Sequence, residues 1–72
     1  MASLPVVSGD DVCRALARAG FFHRSPKGSH VKMKHLDGRN AVVPLHRELA
    51  LGTLRSILKQ AGLGDDEFRS LL

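Results

Sequence analysis

The chain has 72 residues, a net charge of +4 and a single cysteine, with three Phe, no Trp and no Tyr. That length holds one hydrophobic core, with roughly 3–5 kcal/mol of net stability where no staple helps it. Cys13 has no partner for an intrachain disulfide and there is no apolar run near 18 residues, so a disulfide-stapled domain and a membrane span are both excluded.

The start, Met1-Ala2-Ser3-Leu4-Pro5-Val6-Val7, lacks the basic and long apolar regions of a secretory signal and reads as a short tail, 1–7, before one domain. A cytoplasmic location is the expectation. Ser8 caps the first helix and Asp11 reaches back, a shorter version of the usual capping-box Glu. Val12, Ala15, Leu16 and Ala19 follow at helical spacing, and Gly20 supplies a left-handed stop. Cys13 sits beside that stripe and reads as a small buried packing residue.

Phe21-Phe22-His23-Arg24 reads as a short strand, one Phe turned to the core and the other toward an edge or neighbour. Ser25-Pro26-Lys27-Gly28 breaks it, and Val31-Lys32-Met33-Lys34-His35 alternates as a second strand. A two-residue turn at Asp37-Gly38 would leave Ala41 and Val43 on the lysine face. A type I turn with Gly38 as the bulge pairs His35 with Arg39, Met33 with Ala41 and Val31 with Val43. The bulged turn is therefore predicted, with His30, Lys32, Lys34 and Asn40 sharing the exposed face. Pro44 ends the pairing, Leu45 to Gly52 is a loop with room for one turn of helix, and Thr53 caps a helix striped by Leu54, Ile57, Leu58 and Ala61 up to Gly62. Asp65-Asp66-Glu67 suits the start of a last short helix carrying Phe68, Leu71 and Leu72.

Charge is concentrated in the middle of the chain. Arg24, Lys27, Lys32, Lys34 and Arg39 face one acid there, Asp37, which favours an anionic partner. With so few aromatics, phosphate contact would dominate any nucleic-acid binding. The four His show no metal-ligand spacing, and phosphate-binding glycine loops are absent, so neither a metal nor a cofactor is expected. What remains is His30 among lysines, following the flexible Gly28-Ser29. RNA carries its own nucleophile, the 2′-OH, so one imidazole for proton transfer with cations at the phosphate is a sufficient toolkit for scission. Lys27, Lys32 and Lys34, with backbone N–H groups near Gly28 and Ser29, would relieve the developing charge. The same residues also fit a solvated turn and a solubilising sheet face.

Gly20-Phe21, Lys27-Gly28-Ser29-His30, His35-Leu36-Asp37-Gly38-Arg39, Val43-Pro44-Leu45-His46 and Gly52-Thr53-Leu54-Arg55-Ser56-Ile57-Leu58-Lys59-Gln60-Ala61-Gly62-Leu63 occur in order. Together they resemble the HicA family of mRNA interferase toxins. The resemblance implies an α+β fold, a small α-β-β-β-α sandwich like the double-stranded-RNA-binding domain, its three-stranded antiparallel sheet covered by helices on one face. It implies metal-free cleavage of mRNA, with the family's invariant histidine at His30; the charge pattern adds Lys27, Gly28, Ser29, Lys32, Lys34 and Arg39 as the expected RNA contacts. The resemblance also implies a HicB-type antitoxin that covers His30. Only Arg47-Glu48 separate His46 from Leu49, where the family carries a longer loop, and His46 reads as a structural histidine, with holding the loop or contacting substrate as the alternatives. The alternatives are a non-catalytic RNA-binding module of the same fold and a protein-interaction domain.

Overall fold

The computed structural model describes residues 4–24 and 28–72. Helix α1 (Gly9–Arg18) leads into strands β1 (Phe22–His23), β2 (His30–Lys34) and β3 (Asn40–Pro44), followed by helices α2 (Leu51–Ala61) and α3 (Asp65–Leu71). The strands form one antiparallel sheet in the order β1-β2-β3. This is the small α+β architecture expected.

Strand alternation divides the sheet. Val31, Met33, Ala41 and Val43 are buried on the helix side, with Val12, Leu16, Leu54, Ile57, Leu58 and Phe68 packed into the same core. Leu4 and Val7, in the segment read as a tail, also belong to that core. His30, Lys32, Asn40 and Val42 are exposed on the other face. The hairpin takes the bulged turn. Met33 pairs with Ala41, Gly38 N–H donates to the His35 carbonyl (3.0 Å), and Gly38 has φ +99°, which a glycine tolerates without strain. The opposite edge of β3 is not left open, because the outward N–H of Val42 donates to Oε1 of Gln60 on α2 (3.2 Å).

Both α1 boundaries follow the sequence signals. Ser8 N–H donates to the Asp11 carboxylate, and Asp11 N–H donates to Ser8 Oγ, each at 3.0 Å. The Ser8 backbone bond, then its hydroxyl, holds the Asp11 pKa below the usual carboxylate range; the Arg39 N–H does the same for Asp37. The unfolded chain therefore binds protons first on acidification. Stability from these carboxylates is present above about pH 4 and is lost as pH falls toward their folded values. Ser8→Ala is expected to cost about 1 kcal/mol at neutral pH. Urea titrations of both proteins would also show a shallower acid decline in the variant. An unchanged neutral-pH midpoint would contradict the capping box.

The start of α2 departs from expectation. It begins at Leu51 after Ala50, which makes no side-chain cap, and not after Thr53. Leu49 is buried, and its N–H donates to the Val7 carbonyl (2.8 Å). That tertiary anchor orders the first turn, which a local capping signal does not reveal. The stop at Gly62 (φ +69°) is as predicted.

Candidate functional site: an open cationic sheet face

The site is built by β2 and its neighbours. His30 opens β2, and Lys32 and Lys34 follow at alternate positions, so all three side chains leave the same face. Among the described residues neither lysine has an ion-pair partner, so their ammonium groups are available to an anion. The His30 ring is exposed, with Ser29 Oγ 3.4 Å from Nδ1. Gly28 precedes it at φ +57° with open space where a side chain would project, so the turn needs glycine and leaves room for a ligand at the strand's mouth. Lys27 lies outside the described residues.

Two neighbours were missed in the sequence reading. Phe22 pairs with Lys34 and is 40% exposed on the open face. Arg24 N–H donates to the Lys32 carbonyl (2.8 Å), which extends the same register and brings a third cation beside Lys32. Val42, opposite Lys32, is 39% exposed. The outward Phe was legible from alternation. Its place beside Lys34 depends on the β1–β2 register, for which no turn chemistry is readable.

Arg39 stands elsewhere. It pairs with His35 on the helix side of the sheet, so it does not join the cationic face on which RNA contacts were expected. Its guanidinium donates to the Ala61 carbonyl (2.6 Å) and the Asp37 carboxylate (2.9 Å), and lies 5.1 Å from the centre of the Phe21 ring. A cation at the C-terminal carbonyls of α2 is well placed electrostatically, and Arg39 locks that helix to the hairpin. His35 belongs to the same lock: its ring meets Phe21 edge-on at 5.1 Å, and Nδ1 accepts from Asp37 N–H (3.1 Å). The His46 ring is exposed and unpartnered among the described residues, and its backbone carbonyl, accepting from Gly9 N–H (2.9 Å), holds the loop.

Cys13 is buried, and burial raises its thiol pKa, as suits a packing residue and not a nucleophile. No three His, Cys, Asp or Glu among the described residues gather where they could hold a metal ion. No helix is long and apolar enough to cross a membrane.

Fold and face together define a small α+β domain that backs a sheet with helices on one side and leaves the cationic side exposed. Residues 9–63, most of the chain, match the family described as HicA toxin of bacterial toxin-antitoxin. The chain belongs to the HicA toxin family and is the toxin component of a toxin–antitoxin module, which implies an antitoxin partner. A search among curated proteins gave no match.

Proposed function

We propose that this toxin is an endoribonuclease, an mRNA interferase that cleaves mRNA without a metal ion, with His30 as general acid/base. The observation that carries the reading is the exposed His30 ring at the head of a row of ammonium groups with no ion-pair partner among the described residues. The imidazole takes the proton of a ribose 2′-OH, whose oxygen attacks the adjacent phosphorus. Lys32 and Lys34, with Lys27 and the Gly28 and Ser29 backbone, counter the charge that grows on the phosphate oxygens. A HicB-type antitoxin would silence the toxin by covering the same face. Exposed Phe22 and Val42 give that face apolar area for a protein partner as well as for unstacked bases.

Incubating the purified chain with RNA in EDTA tests the proposal directly. Shortened RNA is the expected result. RNA that shifts on a gel but keeps its length would instead favour the non-catalytic binding module, and a chelator-sensitive reaction would overturn the metal-free chemistry.

Lys32→Ala and Lys34→Ala are each expected to weaken RNA binding at every sequence. The slope of log affinity against log salt should fall by about 0.7 per lost phosphate contact on a single strand. Parallel salt titrations of parent and variants measure this, and an unchanged slope would remove the lysines from the interface.

A further inference from the structure

The proposed reaction moves two protons. One leaves the 2′-OH, and another must reach the departing 5′-oxygen. His30 is one proton-transfer group, and the backbone geometry brings a second imidazole to the same corner.

Leu45 N–H donates to the Ser29 carbonyl (2.6 Å), so the pairing of β2 with β3 runs one step past the His30–Pro44 pair. Beyond Val43, the carbonyls that point away from β2 are those of Pro44 and His46. Gly9 meets both. Its N–H donates to the His46 oxygen at 2.9 Å, and a Cβ on Gly9 would stand 2.0 Å from the Pro44 oxygen. Pro44 and His46 thus keep the alternation of the strand, and residues two apart on a strand share a face. Continued past the end of β3, that alternation gives His46 the position diagonal to His30, a relation in which the backbones of paired residues stand roughly 7–8 Å apart. Imidazoles borne at two such positions can reach one phosphodiester. The His46 ring is exposed and makes no contact within the described chain that would occupy it.

We propose that His46 is a second catalytic residue, working with His30 from the adjacent strand; the inference rests on the ribonuclease reading above. One imidazole removes the 2′-OH proton as the 2′-oxygen bonds to phosphorus. The bond from phosphorus to the 5′-oxygen breaks, and the other ring, in its protonated form, delivers its proton to that oxygen. The products are a 2′,3′-cyclic phosphate and a 5′-hydroxyl, with no co-reactant consumed. Gly9 acts as a positioning residue, because only a residue without a side chain lets α1 grip the Pro44–His46 backbone.

The test uses the full chain with His46→Ala and His46→Gln. The substrates are a short RNA and the same RNA with sulfur at the bridging 5′ position, a leaving group that departs without protonation. Both variants should melt like the parent and keep its RNA affinity. Cleavage of ordinary RNA should fall about 10²–10⁴-fold. Recovery on the sulfur-bridged RNA identifies His46 as the proton donor, and a matching loss there identifies it as the base; both support the pair. Near-parental cleavage by the His46 variants beside an inactive His30→Ala would overturn the proposal while the ribonuclease reading stands. Loss explained wholly by weaker RNA binding would overturn it too. If the parent itself leaves RNA intact, the ribonuclease reading fails first.

Discussion

Replacing His30 with alanine is expected to lower RNA cleavage by about 10²–10⁴-fold, the usual worth of a positioned proton-transfer group. The fold should not notice. The ring is exposed, its nearest polar neighbour is Ser29 Oγ at 3.4 Å, and the strand pairing with Pro44 runs through backbone that alanine preserves. Exposed substitutions of this kind usually change stability by about 0.5 kcal/mol or less. RNA affinity should persist as well, because His30→Ala leaves in place Lys32 and Lys34, the phosphate contacts proposed above. The signature is therefore lost turnover with unchanged melting and nearly unchanged binding. His30→Gln sharpens it, since glutamine keeps a hydrogen-bonding side chain but cannot carry a proton between atoms, and it should be as inactive as alanine. Cleavage at the parental rate by either folded variant would remove His30 from the chemistry.

Gly9→Ala should destabilise the domain, against the local expectation. Inside a helix, alanine is favoured over glycine by about 0.8–1 kcal/mol, so by propensity alone the change would strengthen α1. The added methyl, however, would stand 2.0 Å from the Pro44 oxygen and 2.9 Å from the Leu45 Cα, both backbone atoms. Neither can rotate aside. The helix start must retreat, at a cost of about 1–3 kcal/mol for overpacking. The Gly9–His46 hydrogen bond is lost with it, for about 1 kcal/mol more. Against a domain stability of roughly 3–5 kcal/mol, the net loss is large. A melting temperature lower by several degrees is the expected measurement, and a variant more stable than the parent would show that the contact relaxes freely. If His46 works with His30 as proposed, cleavage should fall as well, because the retreat moves the backbone beyond β3 that carries His46.

Much of this molecule is written in local signals. Ser8 with Asp11, the apolar stripes of α1 and α2, and the glycines at 20 and 62 place the helices, because capping and helical periodicity are satisfied within a few residues. The alternation in β2 and β3 also selected the hairpin register, since a slip by one residue would have turned Ala41 and Val43 to solvent. The row from His30 to Lys34 followed from that choice.

Other features depend on contacts between residues distant in the chain, which no local pattern encodes. Arg39 looked like one more cation of the basic cluster, and only its bond to the Ala61 carbonyl shows it holding helix to hairpin. The start of α2 moved back to Leu51 because Leu49 is anchored by Val7. Phe22 gained its place beside Lys34 from the β1–β2 pairing. By itself, then, the sequence determined the elements, the hairpin register and the histidine at the head of the cationic row, because periodicity and turn chemistry act over short spans. Tertiary structure alone decided which cations stay free among the described residues, which are bound into the scaffold, and that Gly9 meets the backbone from Pro44 to His46. Those outcomes turn on which atoms meet when separate segments pack.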